Sequence, residues 1–244
     1  MGNFVHLHVH TEYSILDGAT KIAVAAKKAK ALGMPALAIT DHGNMYGAVN
    51  FFDACEKEGI KAIIGTEFYV CDDLTVKNGK TKLNHLVLLC KNEEGYKNIS
   101  LLNAIAFRDG FYYKPRIDLK TLEAHHEGLI CLSACLAGDI PQAILNRDFE
   151  EAERLVVWFK NLFGEDFYLE MQNHLLEEQL EVNKYLRIYA QKYNIKLVVT
   201  NDVHYLERSD AESQDVLMCV QMGADYDDPK RLRFPNDEFY LKKL

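Results

Sequence analysis

Nine residues of metal-ligating type recur along the chain at or near the edges of apolar runs: His8, His10, Asp17, His42, Glu67, His85, Cys135, Asp202 and His204. Imidazole, carboxylate and thiolate groups are the donors that hold divalent metal ions. Placed at strand ends, such donors let an α/β barrel assemble a site at one mouth. Zinc takes about four ligands, and a catalytic zinc keeps one position for water. Nine donors exceed the needs of one ion. Shared among three ions, with one or two bridging carboxylates, they suit a hydrolytic cluster.

In His6-Leu7-His8-Val9-His10 the histidines alternate with period two, so a strand turns all three to one face. His8 and His10 form the ligand pair at its exit, and His6, deeper in, is structural. A polar edge strand with solvated histidines is the alternative. Asp17, in Ser14-Ile15-Leu16-Asp17-Gly18, is a ligand or simply a turn residue. In Thr40-Asp41-His42-Gly43 the ligand is His42, while Asp41 either orients an imidazole or caps the next helix. Glu67 sits in an apolar run, where an unpartnered carboxylate is costly. Bridging two ions would satisfy both its oxygens; a buried salt bridge is the alternative. His85 opens its strand rather than ending it. Cys135 ends an apolar run, where a buried structural thiol is the alternative, and Cys131 on the same run is structural. Asp202 and His204 repeat the spacing of His8 and His10. First and last strands are neighbours in a closed barrel, so these pairs would share one site.

The elements that must position these groups alternate along the chain. Apolar runs predict strands over 4–10, 36–40, 61–70, 85–90, 128–134, 167–172 and 196–200. Amphipathic stretches predict helices over 20–32, 44–58, 93–107, 149–163, 176–193 and 209–222, several stopping at glycine. Seven strands alternating with helices imply parallel pairing and right-handed crossovers. An open doubly wound sheet would gather ligands at one switch point. Ligands after nearly every strand fit better with a distorted, TIM-like (β/α)7 barrel of seven strands. That domain is expected over 1–225, followed by an irregular tail over 226–244 that reads as cut.

The net charge is -8, from 28 basic and 36 acidic residues. Such a surface is ill suited to hold duplex DNA by phosphate neutralisation alone, although bound metal ions would supply local positive charge. No run of about 18 apolar residues predicts a membrane span. With no basic-then-apolar leader and six scattered cysteines, a reducing cytoplasm is expected.

Several motifs resemble those of the PHP (polymerase and histidinol phosphatase) superfamily, in particular PHP domains of bacterial DNA polymerase III alpha subunits of the DnaE type. They are His8-Val9-His10-Thr11, Thr40-Asp41-His42-Gly43-Asn44-Met45 and Asn201-Asp202-Val203-His204-Tyr205. Tyr112-Tyr113-Lys114-Pro115-Arg116-Ile117-Asp118 and Leu132-Ser133-Ala134-Cys135-Leu136-Ala137-Gly138 match as well. Phe239-Tyr240-Leu241-Lys242 resembles the passage toward the polymerase. The resemblance implies a seven-stranded barrel with up to three metal ions. The first would take His8, His10, Glu67 and Asp202, the second Asp17, His42 and His204, the third Glu67, His85 and Cys135. Zinc suits this donor set, with manganese or iron open.

The resemblance implies a 3′–5′ proofreading exonuclease within a DNA-directed DNA polymerase, using water activated by these ions. Its partners would be a DNA 3′ end, the remaining polymerase domains and other replisome subunits, without a membrane. The stretch 107–116 interleaves rings and cations. It either stacks unpaired bases, with Lys114 and Arg116 holding phosphates, or packs on the barrel. His174 is a further candidate for the mouth. Two alternatives stay open: a free-standing phosphatase for a small ester such as histidinol phosphate, and a catalytically silent metal domain that stabilises the polymerase. Gene length separates out the first, and a nuclease assay with controlled metals the second.

Overall fold

The computed structural model describes residues 4–79 and 82–243. The chain divides into two compact units, one of Met1–Asp41, Tyr46–Ile64 and Asn201–Leu244, the other of His42–Met45 and Gly65–Thr200.

In the first unit, α1 (Ile22–Ala31) buries the expected stripe of Ile22, Ala25, Ala26 and Ala29. It packs on α2 (Ala48–Glu58), and the small alanines let the helices approach closely. α2 starts later than expected and ends at Gly59, which takes the left-handed conformation at φ 66° that glycine adopts most cheaply. The short strand β1 (Ala36–Ile39) pairs in parallel with the first four residues of β2 (Lys61–Cys71). Val9, Leu37, Ile39, Phe51, Cys55, Val203 and Leu241 belong to its core.

Residues 4–10 do not form the expected strand. Ala38 N donates to His6 O (3.0 Å) and Thr40 N to Val9 O (2.9 Å). The donors are two residues apart and the acceptors three, so an extra residue breaks the ladder as a bulge does. On the other side, Val203 N donates to His8 O (3.1 Å) and His10 N to Val203 O (2.7 Å). The segment is therefore paired on both sides without regular register. The 226–244 stretch has no helix or strand among its described residues, yet it is built into this unit. Asn201 Nδ2 donates to Glu238 O (2.9 Å) and Tyr240 O (2.8 Å), and Phe239 and Leu241 are buried.

The second unit carries a mixed sheet in the order β4-β2-β3-β5-β6-β7: β3 (Asn84–Cys90), β4 (Arg116–Asp118), β5 (Leu129–Leu132), β6 (Phe167–Met171) and β7 (Lys196–Val199) beside Gly65–Cys71 of β2. The expectation of all-parallel strands is wrong: β3 runs antiparallel to both β2 and β5. The described residues between β2 and β3 contain no helix. Without a crossover element, consecutive paired strands turn back antiparallel. β4 was not expected, nor were α4 (Leu119–Ala124) and α5 (Asp139–Leu145). Asp118 starts α4 by accepting from Thr121 N at 2.8 Å, an N-cap. α3 (Glu93–Arg108), α6 (Phe149–Phe163) and α7 (Glu177–Tyr193) fall within a residue of expectation, and their Ile99, Phe159 and Leu186 share one core with Phe68, Leu86 and Leu88 of the strands. No described helix is long and apolar enough to cross a membrane.

Candidate metal sites

In the first unit Asp202 gathers the imidazoles. Its Oδ1 lies 3.2 Å from His8 Nε2, 3.1 Å from His10 Nε2 and 3.7 Å from His204 Nδ1. Asp17 Oδ2 lies 3.9 Å from His204 Nε2. The period-two spacing of the two pairs brings them face to face across the Val9–Val203 bridge. Burial pushes the Asp202 carboxyl up, but the charges of His8 and His204 and the hydrogen bond with His10 outweigh it and hold the group well below the usual carboxylate range.

Hydrogen placement follows from the partners. Ser14 Oγ–H donates to Asp41 Oδ1 at 2.7 Å, so its oxygen accepts from His10 Nδ1, 3.2 Å away. A neutral His10 then turns its Nε2 lone pair toward the Asp202 carboxylate. Two lone pairs at that distance repel unless a cation, a proton or a metal ion, joins them. His204 Nδ1 likewise donates to the Asp202 carbonyl at 2.9 Å, leaving Nε2 as the donor atom on the Asp17 side.

Asp41 acts on an imidazole through Ser14, that of His10. It accepts from Thr11 N (2.6 Å), Thr11 Oγ1 (2.7 Å) and Ser14 Oγ, so its action reaches His10. It does not cap α2, whose N-cap is Gly47. His6 Nε2 donates to Lys242 O at 3.0 Å, and burial lowers its pKa to about 4, as befits a structural neutral imidazole.

In the second unit Glu67 is the centre, 1% exposed on β2. His42 Nδ1 lies 2.7 Å from its Oε2 and His85 Nδ1 3.1 Å from its Oε1. Cys135 Sγ lies 3.9 Å from Glu67 Oε1 and 3.7 Å from His85 Nδ1. His85, although it opens its strand, reaches this group because β3 runs backwards. Tyr69, two residues beyond Glu67 and so on the same face, stacks on the His42 ring (5.7 Å, 21°) and meets His85 edge-on (5.3 Å, 79°). Sequence reasoning missed Tyr69 and Ser14; for Tyr69 the signal was its two-residue spacing from Glu67.

The donor sets fit divalent ions. Donors 2.0–2.3 Å from a zinc ion at tetrahedral angles stand about 3.3–3.8 Å apart. The separations above, from 2.7 to 3.9 Å, span that range. Three left-handed non-glycine residues adjoin or are candidate ligands: Leu16 (φ 63°), Ala134 (φ 64°) and Asp202 (φ 44°). Each costs about 1–3 kcal/mol, strain that concentrates at functional sites.

The flanking candidates differ in availability. Arg116 is 1% exposed, and its guanidinium donates to Gly110 O (2.8 Å), Val76 O (3.2 Å) and Leu74 O (3.5 Å). It pins the loop and is not an open phosphate binder. Lys114 is half-buried, its Nζ 5.3 Å above the Tyr69 ring. His174 is fully buried, with Nδ1 2.7 Å from Gln179 Nε2.

An α/β fold with imidazole–carboxylate groups of this kind has a family match: the PHP domain family covers residues 6–174, and the chain belongs to that family. Its relatives include DNA polymerase III subunit alpha of Borreliella burgdorferi, 47% identical over 248 residues, with 98% of this chain and 21% of the relative covered. The same subunit of Treponema pallidum is 47% identical over 245 residues, with the same coverage. That of Deinococcus radiodurans is 41% identical over 252 residues, covering 99% of this chain and 19% of the relative. The chain thus spans about a fifth of the length of these relatives. Among solved structures, a candidate metal-dependent phosphoesterase from Bifidobacterium adolescentis has a TM-score of 0.54 at 17% identity, covering 82% of this chain and 87% of its own. An amidohydrolase from Chromobacterium violaceum, with bound sulfate and no metal, has a TM-score of 0.56 at 15% identity, covering 83% and 88%. Both likenesses are of fold.

Proposed function

We propose that the chain is the N-terminal PHP domain of a replicative DNA polymerase III alpha subunit. In this reading it is a metal-dependent 3′–5′ exonuclease acting on DNA ends. His8, His10, Asp17, His42, Glu67, His85, Cys135, Asp202 and His204 hold up to three divalent ions, with zinc the best match to the donors. Its partners are the remaining domains of the same polymerase and other replisome subunits, in a cytoplasmic setting. The observation that carries the reading is that each unit has a buried carboxylate among imidazoles: Asp202 meets His8 and His10 within 3.2 Å, and Glu67 meets His42 and His85 within 3.1 Å. Relatives about five times longer favour a piece of a polymerase over a free-standing phosphatase.

Bound ions supply Lewis-acid stabilisation and water of lowered pKa for phosphodiester hydrolysis. The chain's own groups do the positioning. Asp202 and Glu67 provide anionic charge, Asp41 and Ser14 fix the His10 tautomer, and Lys114 takes a non-bridging phosphate oxygen. Asp202→Asn in the full-length polymerase tests this. It keeps the shape and removes the charge, so 3′-end release from a labelled single strand should fall at least about 100-fold while polymerisation persists. Release at the wild-type rate, with ion content confirmed, would refute the assignment. No release by the wild type with ions bound would favour the silent metal domain.

A further inference from the structure

The 107–116 stretch does not pack away its rings. Phe107 is 41% exposed, Phe111 48% and Tyr113 81%. Phe107 and Phe111 stack on each other (6.2 Å, 19°), and Tyr113 meets Tyr112 edge-on at 4.6 Å. These rings nonetheless stand on a rigid base. Arg116 ties Gly110, Val76 and Leu74 together and lies 5.4 Å from the Tyr112 ring. Pro115 packs against Gly43, where an added Cβ would come 2.7 Å from Pro115 Cγ. Lys114 then leads from the rings to Tyr69, and Tyr69 to the imidazoles of His42 and His85.

We infer that Phe111 and Tyr113 form a stacking platform for the unpaired bases of a nucleic acid strand, with Lys114 on its phosphates, leading the strand's end toward the Glu67 group. The inference rests on the proposed exonuclease reading and deepens it by naming the substrate's second contact. Base–aromatic stacking tolerates any sequence, as a surface that meets arbitrary 3′ ends requires. A lysine between the rings and the metal ligands serves a phosphate, whereas lysine is depleted in protein–protein interfaces. Arg108 is not the cation of this platform, since Asp109 holds it at 2.8 and 2.6 Å.

The test uses the full-length protein and an oligothymidylate with 5-iododeoxyuridine near its 3′ end. Irradiation should crosslink Phe111 or Tyr113, mapped by mass spectrometry. Phe111→Ala and Tyr113→Ala should each raise KM for 3′-end release by about 5- to 150-fold. Hydrolysis of the small ester bis(p-nitrophenyl) phosphate should be unchanged. Crosslinks confined to other segments would overturn the platform, as would an equal loss on both substrates. So would alanine variants that lower the melting temperature without touching KM, which would mean that another part of the protein covers the rings. Crosslinking at Phe111 without hydrolysis of either substrate would uphold the platform and remove the exonuclease reading.

Discussion

Replacing Asp41 should loosen both the fold and the His10 imidazole that it reaches through Ser14. Its carboxylate is 1% exposed and accepts hydrogen bonds from Thr11 N, Thr11 Oγ1 and Ser14 Oγ. Each charge-assisted bond contributes about 1.5–3 kcal/mol. In Asp41→Ala the Thr11 N–H, on a fully buried residue, loses its acceptor. Discounting for coupling among the three, the loss is about 3–5 kcal/mol. For a domain of this size that lowers the melting temperature by about 6–20 °C. Asp41→Asn keeps an acceptor for Thr11 N and should lose about 1–2 kcal/mol, or about 2–8 °C. It also weakens the grip on Ser14 and so on the His10 tautomer. Changing an outer partner of a ligating histidine costs about 10- to 100-fold in metal affinity. Thermal melts and zinc competition against a chromophoric chelator measure both effects. Asp109→Asn, at an exposed ion pair, is the control and should change neither. A folded Asp41→Asn protein with unchanged zinc affinity, or an Asp41→Ala melt within 2 °C of wild type, would refute the reasoning.

Chelation should lower the melting temperature by about 5–11 °C if ions are present at 100 times their dissociation constant, since that saturation stabilises by about 2.7 kcal/mol; an unchanged melt on demonstrably metal-free protein would contradict it. Gly43→Ala must place a Cβ 2.7 Å from Pro115 Cγ at φ +60°, so zinc affinity and stability should both fall, the latter by about 1–2 kcal/mol from the backbone alone, readable in denaturant midpoints. Burial raises the Asp139 carboxyl above its ordinary 3.8, more than the hydrogen bond from Asn84 lowers it. A raised folded-state pKa means that the contribution to stability is present below pH 3.8 and lost as pH rises through the folded value. Asp139→Asn should therefore gain stability relative to wild type at pH about 7 but not at about 3.5; an equal difference at both would count against it.

Much of this arrangement was legible because side-chain period is a local property. α6 was readable over 149–163 from its apolar stripe and Gly164. The period-two histidines correctly set His8 and His10 on one face, meeting Asp202. The break in the expected strand under them was not readable, because the extra residue between His6 and Val9 shows only in the hydrogen bonds from Ala38 and Thr40. The reversal of β3 was not readable, because the rule that alternating elements make parallel sheets takes no account of a connection whose described residues hold no helix. Asp41 and Ser14 lie 27 residues apart, and only the tertiary fold tells that the carboxylate reaches His10 through Ser14. Arg116 looked like a phosphate binder by type; its burial under three carbonyls has no sequence signature.

The antiparallel pairing of β2 and β3 has a consequence for how the chain finds its place. Leu86, Val87, Leu88 and Leu89 are buried on both faces of β3, so their apolar pattern looks the same after a two-residue slip. A slip is penalised where it moves apolar groups to a solvent face, and β3, buried on both faces, has no such face. What tells one alignment from the next is His85, which reaches Glu67 only when it stands opposite Tyr69. The candidate ligand thus also serves as a registration mark, and an ion caught between His85 and Glu67 during folding would act as a clasp that closes in one position only.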